Sequence, residues 1–152
     1  MPTLASRSIQ RRRLLQGAGV MASLGMAARA GVAADAADPF SAQSLAELLG
    51  ALGGTPRPSP LIRLDAPEIA ENGAVVPVTV SSALPGTREI LLLVDVNPQP
   101  LALRFAVPAG TEPFVATRIR MAATGTVYAA VRTDQGFYGA ARAVEVTVGG
   151  CG

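Results

Sequence analysis

Apolar and polar positions alternate along the chain from Leu61 onward, and this two-residue period is typical of strands with one buried face. The alternating apolar positions are Val76, Val78 and Val80; Leu101, Leu103, Phe105 and Val107; Val115, Thr117, Ile119 and Met121; Val127, Ala129 and Val131; and Val144, Val146 and Val148. Turn sequences rich in Gly and Pro separate them, such as Glu71-Asn72-Gly73 and Asn97-Pro98. The pattern predicts an all-β fold for residues 61–148, an immunoglobulin-like antiparallel β-sandwich. It lacks the Cys–Trp–Cys core of antibody domains.

One segment, residues 88–96, is apolar almost without interruption. As a strand it would place Ile90, Leu92 and Val94 on one face and Leu91 and Leu93 on the other. A strand with two apolar faces is expected to be covered on both sides. The second cover is either a helix from the N-terminal part of the chain, which we favour, or a partner protein.

The period changes to that of a helix before residue 61. Leu45, Leu48, Leu49 and Leu52 lie at i, i+3, i+4 and i+7 and form one apolar face. Asp38-Pro39 is a favourable helix start, and Gly53-Gly54 is a favourable end. Residues 55–60 contain three prolines and predict a stiff connector. Residues 35–60 are therefore expected to form a short helix and a Pro-rich connector.

The N-terminal residues have the pattern of an export signal. Gln10-Arg11-Arg12-Arg13-Leu14-Leu15 leads into a weakly apolar stretch that polar residues interrupt, so it is too polar to span a membrane. Consecutive arginines before such a stretch indicate the twin-arginine route of bacterial export. We expect cleavage after Val32-Ala33-Ala34, with Ala28-Arg29-Ala30 as the alternative. Residues 1–34 are thus predicted to be a signal peptide, and the product to be periplasmic with no membrane span.

Removal of this leader changes the charge of the chain. The whole sequence has 13 arginines, 11 acidic residues and a net charge of +2. Five arginines leave with residues 1–34, so 8 remain against 11 acidic residues, a net charge of −3. This balance argues against nucleic-acid binding, which needs a basic surface. Arg118 and Arg120 share the outward face of one strand. That face is either a solvated sheet face or a surface for a partner protein.

The chain's one cysteine, Cys151, lies among Gly149, Gly150 and Gly152. Glycine is conformationally permissive and has no side chain, so residues 149–152 are predicted to be a thin, flexible arm. A free thiol has a pKa of about 8.5. The arm has nothing to lower that pKa, and the chain has no histidine to act as a base. The arm therefore predicts a carrier whose thiol is activated inside a partner enzyme, with no metal and no cofactor of its own.

Two other functions are compatible with an exposed thiol. An exported β-sandwich binding module could be tethered to a partner by an intermolecular disulfide through Cys151. A small hydrolase or thiol peroxidase is disfavoured, because the sequence offers no base, oxyanion motif or resolving cysteine. A tail whose thiol has no role is the remaining alternative.

Three stretches carry a resemblance to a known family: residues 66–80, beginning Ala66-Pro67-Glu68-Ile69-Ala70-Glu71-Asn72-Gly73; Thr117-Arg118-Ile119-Arg120-Met121-Ala122; and Val146-Thr147-Val148-Gly149-Gly150-Cys151-Gly152. With them, the chain after residue 34 resembles the SoxY family, the sulfur-carrier subunits of the periplasmic Sox system for thiosulfate oxidation. The arm of that family usually has two glycines after the cysteine, where only Gly152 follows here.

The resemblance implies a mechanism and a set of partners. A c-type haem enzyme would load thiosulfate onto Cys151 as an S-thiosulfonate, and a dimanganese hydrolase would release sulfate. A sulfane dehydrogenase, where the host has one, would oxidise the remaining sulfur before a second hydrolysis frees the thiol. The resemblance also implies a heterodimer with a SoxZ-like β-sandwich subunit.

Overall fold

The computed structural model describes residues 38–148, which form two β-sheets and one short α-helix, α1 (Leu45–Ala51). The strands are β1 (Arg57–Pro58), β2 (Ile62–Asp65), β3 (Ile69–Ala70), β4 (Val76–Ser82), β5 (Thr87–Val94), β6 (Leu101–Ala106), β7 (Phe114–Ile119), β8 (Gly125–Thr133) and β9 (Gly136–Val146). The predicted signal peptide (1–34) and the predicted arm (149–152) lie outside the described residues and remain predictions.

The larger sheet has the order β1-β9-β8-β5-β6, with β3 paired to the end of β9, and the smaller sheet has the order β2-β4-β7. Neighbouring strands are antiparallel, except that the two-residue strands β1 and β3 run parallel to β9. The two sheets enclose one apolar core, which confirms the predicted all-β, immunoglobulin-like sandwich.

The main core is built from alternate positions of both sheets. Ile90, Leu92 and Val94 of β5 share one buried cluster with Val78 and Val80 of β4. Burying a side chain of this size contributes about 1.5–3 kcal/mol to folding. The alternation in the sequence therefore identified the core face of β4 correctly. It did not do so in β6, where Phe105 is exposed and Leu101 lies on the other face of the sheet from the main core.

A second apolar cluster lies on the other face of the larger sheet. Leu91 and Leu93 of β5 are buried there against Leu48 and Leu52, the latter directly after α1, and against Ala130 of β8. The prediction that a helix covers the second face of β5 is confirmed.

The start of the helix was predicted wrongly. Asp38 caps a single 3-10 turn, Pro39–Ser41, and the α-helix begins only after Ser44. The Ser44 hydroxyl accepts from the Glu47 amide (3.2 Å), and the Glu47 carboxylate accepts from the Gln43 amide (3.0 Å). This reciprocal capping lies immediately before the first leucine of the apolar face, so it satisfies the helix amides better than Asp38 could. The predicted end at Gly53-Gly54 is confirmed, since both residues have positive φ.

A buried carboxylate joins the helix to the sheet. Glu89 of β5 is 9% exposed and pairs with Arg104 of β6 and Arg132 of β8. Arg132 also donates to the carbonyl of Leu52 (2.9 Å) and stacks on the ring of Phe137. The end of α1 is thereby tied to three strands of the larger sheet.

The predicted connector, residues 55–60, joins the sheet in part. Arg57 and Pro58 form β1, which pairs with Tyr138 and Gly139 at the edge of the larger sheet. An edge position suits Pro58, because proline has no amide hydrogen to donate to a further strand.

Candidate functional site

The structure describes the chain up to Val148, three residues before Cys151. The predicted attachment residue Cys151 and the predicted arm glycines Gly149, Gly150 and Gly152 therefore lie outside the described residues. What the structure defines is the point in the sandwich at which the last residues before them lie. We call this point, residues 145–148, the arm base.

Strand β3 holds the arm base along one side. Its parallel pairing with β9 sets Ala70 beside Val146. The Glu145 amide donates to the Glu68 carbonyl (2.8 Å), and the Thr147 amide donates to the Ala70 carbonyl (3.1 Å). The backbone of β9 is therefore bonded right up to the last residues before the predicted arm.

Thr124 holds the arm base from the opposite side. The Val146 amide donates to the Thr124 hydroxyl (2.9 Å), and that hydroxyl lies 3.4 Å from the Val146 carbonyl. Val146 bonds to Thr124 on one edge of the strand, and Glu145 and Thr147 bond to β3 and its neighbour Glu68 on the other edge, which limits lateral movement of the arm base.

The turn Glu71-Asn72-Gly73 closes the arm base at its end. The Thr147 hydroxyl donates to the Glu71 carbonyl (3.0 Å), and the Gly73 amide donates to the Val148 carbonyl (2.8 Å). Asn72 shapes this turn, because its side-chain oxygen accepts from the amide two residues further on (2.8 Å). The sequence indicated only a turn here, since nothing in its local pattern reveals a partner more than 70 residues away.

The same turn links the arm base to the smaller sheet. Gly73, a buried residue, accepts a hydrogen bond at its carbonyl from the Met121 amide (2.7 Å), just beyond β7. Gly73 therefore links two parts of the backbone through its hydrogen bonds: Val148 at the arm base and Met121 just beyond β7. This brings the arm base close to Arg118 and Arg120, which both point outward and are exposed, in agreement with the sequence.

Asn97 fixes the end of β7 to the other sheet. Its side-chain NH₂ group donates to the Arg120 carbonyl (2.7 Å), and its side-chain oxygen accepts from the Ala122 amide (2.9 Å). Asn97 lies in the loop between β5 and β6, so this contact crosses from the larger sheet to the smaller one. The sequence identified Asn97-Pro98 as a turn and did not identify this role.

Among residues 38–148, no group of three or more His, Cys, Asp or Glu side chains could hold a metal ion.

A hydrogen bond to Asp65, together with the charge of that carboxylate, raises the pKa of Arg63, at the edge of the smaller sheet opposite β7. Within residues 38–148, no helix has the length and apolarity needed to cross a membrane.

Comparison with known proteins identifies a family and a similar solved structure. Residues 46–151, which include the arm base and Cys151, match the family model described as sulfur oxidation protein SoxY. The solved structure of the sulfur carrier protein SoxY from Chlorobium limicola f thiosulfatophilum is similar, with 37% identity and a TM-score of 0.61. That match covers 69% of this chain and 97% of the other chain. No curated protein matches the chain.

Proposed function

The chain belongs to the SoxY family of sulfur oxidation proteins, and from that premise we propose that it carries sulfur intermediates covalently on the Cys151 thiol during thiosulfate oxidation. The observation that carries the proposal is the arm base. Hydrogen bonds from β3, Thr124 and residues 71–73 hold the chain up to Val148, and the thiol follows only three residues later.

A rigid base and a thin tether suit a thiol that must enter the active sites of other proteins. An extended chain spans at most about 3.5 Å per residue, so residues 149–151 give Cys151 a reach of about 10 Å from Val148. Gly149 and Gly150 add no side chains to that length, so a narrow partner channel could admit it. The sandwich would remain outside while the thiol reacts.

The sulfur chemistry proposed for Cys151 follows from the family. Loading joins the thiol sulfur to the outer sulfur of thiosulfate, releases one proton and passes two electrons to a c-type haem enzyme. Hydrolysis by a dimanganese enzyme then adds water to the sulfonate, which leaves as sulfate, while a persulfide stays on Cys151. Both the haem and the manganese belong to the partner enzymes.

The chain itself is proposed to be a non-catalytic carrier. A nucleophilic cysteine enzyme needs a base or a cationic neighbour to form its thiolate. The whole sequence has no histidine, and the groups bonded to the arm base are backbone amides, carbonyls and threonine hydroxyls. Activation of the thiol therefore falls to the partner enzyme.

The proposed setting is the periplasm, reached by the twin-arginine route with residues 1–34 as the signal. The proposed partners are a SoxZ-like β-sandwich subunit, a c-type haem thiosulfate-loading enzyme and a dimanganese sulfate-releasing hydrolase. A sulfane dehydrogenase joins them where the host makes one.

The test is a Cys151→Ser variant in thiosulfate oxidation reconstituted with the partner enzymes. We expect thiosulfate-dependent electron transfer to disappear with an unchanged thermal midpoint, because Cys151 lies beyond the bonded arm base. Val148→Ala is the matched control: it removes an exposed side chain, keeps the carbonyl that bonds to Gly73, and should retain activity.

Activity that survives in Cys151→Ser would refute the carrier function. A second measurement separates the carrier from the tethered module. The mass of the Cys151 peptide, from protein purified without reductant after growth on thiosulfate, should include sulfur or thiosulfonate adducts that dithiothreitol removes. An intermolecular disulfide as the only modification would favour the tethered binding module.

A further inference from the structure

A cleft of about 280 Å³ opens along the side of the sandwich where the edge strands β6 and β7 meet. The residues that line it are Asn97, Gln99, Leu101, Ala102, Leu103, Thr117, Arg118, Ile119 and Arg120. Among these described residues, two carry a positive charge and none carries a carboxylate. Arg118 forms no ion pair with any carboxylate of residues 38–148. Arg118 therefore gives the cleft a positive charge that no described carboxylate neutralises, on a chain whose net charge after residue 34 is −3.

The end of this cleft at Arg120 lies within the span of an extended arm. Val148 bonds to Gly73, and Gly73 bonds to Met121, the residue after Arg120. Two hydrogen-bonded neighbours of this kind span about 10 Å. Residues 149–151 cover about the same distance when extended. The cysteine side chain and a further S–S bond of about 2 Å extend the reach of the sulfur group, and the long arginine side chains shorten the remaining gap.

We propose that the β6–β7 cleft binds the sulfonate end of the loaded arm, the Cys151 S-thiosulfonate, through Arg118 and Arg120. A sulfonate presents three acceptor oxygens and one negative charge. The guanidinium group is suited to such oxyanions, because its planar fork can donate two parallel hydrogen bonds. The free thiol and the persulfide lack the sulfonate, so the cleft distinguishes the thiosulfonate form of the carrier from its other forms.

Docking in the cleft protects the cargo. A stray thiolate can attack the Cys151 sulfur of the adduct, so that a mixed disulfide forms and thiosulfate leaves. A thiosulfonate held against Arg118 and Arg120 is less accessible to that attack than one on an undocked arm. Asn97 supports the site, since its two side-chain bonds hold the backbone of residues 120–122 in place.

The test uses the complete chain and chemical loading. The Cys151 thiolate attacks a central sulfur of tetrathionate, thiosulfate leaves, and the thiosulfonate adduct forms without any enzyme. Methyl methanethiosulfonate gives the uncharged control adduct, a methyl disulfide, with methanesulfinate as the leaving group. In ¹⁵N-edited NMR spectra, the side-chain N–H signals of Arg118 and Arg120 should shift with the thiosulfonate and not with the methyl disulfide.

A kinetic measurement complements the spectra. Thiosulfate release by dithiothreitol should be roughly threefold to tenfold faster in the double variant Arg118→Gln/Arg120→Gln, as expected for the loss of two exposed ion pairs. The difference should vanish near 1 M salt, where charges are screened beyond about 3 Å. Arg63→Gln is the matched control: it removes an arginine from the opposite edge of the same sheet and should behave as the parent.

The proposal is overturned if thiosulfate is released at the same rate from the double variant and the parent. It is also overturned if the Arg118 and Arg120 N–H signals do not shift when the thiosulfonate forms. Signals that move only when a β-sandwich partner is added would also overturn it and would assign the cleft to the partner. The proposal rests on the carrier function, because that function supplies the thiosulfonate. The two can fail separately: chemical loading needs only the thiol, whereas the carrier function is decided by the reconstituted reaction with Cys151→Ser.

Discussion

Replacing Asn97 with alanine tests how strongly the end of β7 is attached to the larger sheet. The β6–β7 cleft depends on the same attachment. The Asn97 side chain makes two hydrogen bonds across the sandwich, to the Arg120 carbonyl (2.7 Å) and from the Ala122 amide (2.9 Å). Alanine removes both. The Ala122 amide is partly buried, so water can only incompletely replace the hydrogen bond that it loses.

The magnitude follows from these two bonds. A hydrogen bond contributes about 0.5–1.5 kcal/mol net, so Asn97→Ala should lower the free energy of unfolding by about 1–3 kcal/mol. In a domain of this size, that loss lowers the thermal midpoint by roughly 5–15 °C. Asn97→Asp keeps the acceptor for the Ala122 amide and loses the donor to Arg120. Its second carboxylate oxygen would face the Arg120 carbonyl oxygen and repel it, so this substitution should cost at least as much as Asn97→Ala.

The assay is urea unfolding of the parent and the two variants, with Gln99→Ala as the matched control. Gln99 is an exposed amide in the same loop, and none of its side-chain atoms bonds to the residues that the structure describes. Its replacement should change the free energy of unfolding by less than about 0.5 kcal/mol. If Asn97→Ala costs no more than Gln99→Ala, the cross-sheet attachment contributes nothing and the reasoning is wrong.

Two further predictions address the helix and the arm base. Leu48→Ala should lower the free energy of unfolding in urea by about 2–5 kcal/mol, because Leu48 is fully buried against β5. Leu49→Ala should cost much less, because Leu49 is only partly buried. Equal costs for the two variants would refute the packing role of α1. Thr147→Val should cost at most about 1 kcal/mol and should speed hydrogen exchange at the Gly73 amide, whose acceptor is the Val148 carbonyl. Thr111→Val, an exposed threonine whose hydroxyl has no partner among residues 38–148, should leave that exchange rate unchanged.

The strands were predictable because their sequence pattern is produced by local geometry. Side chains on a strand alternate between faces, so a strand between core and solvent must alternate in polarity. Val76, Val78 and Val80 show this directly, and all three are buried. Leu91 and Leu93 are apolar where alternation would place polar residues. They correctly indicated that the second face of β5 is covered, which α1 does.

The helix start shows that local signals can compete. Asp38-Pro39 and Ser44 are both acceptable caps, but only Ser44 adjoins the first leucine of the apolar face and has Glu47 three residues later. Burial of the leucines decides between the two caps, and the capping box at Ser44 was present in the sequence to be found.

The arm base was beyond prediction for a different reason. Thr147 and Glu71 are 76 positions apart, and Asn97 and Ala122 are 25 apart. In each pair a side chain bonds to a backbone carbonyl or amide, a group that every residue offers except for the amide of proline. The residue types therefore carry no information about such partners, and only the strand topology brings them together.

Under the proposed function, the arm base and the β6–β7 cleft together would allow a carrier to hold its cargo and still release it. A short tether gives its end an effective concentration in the millimolar range near its base. Contacts that would be too weak to bind free thiosulfate can therefore dock a sulfonate on Cys151. Because each exposed ion pair contributes only about 0.2–1 kcal/mol, a partner enzyme with a modestly better oxyanion site can withdraw the arm. A tightly binding, buried cleft would protect the cargo better but would slow its transfer, so an exposed pair of arginines is the arrangement that fits a carrier.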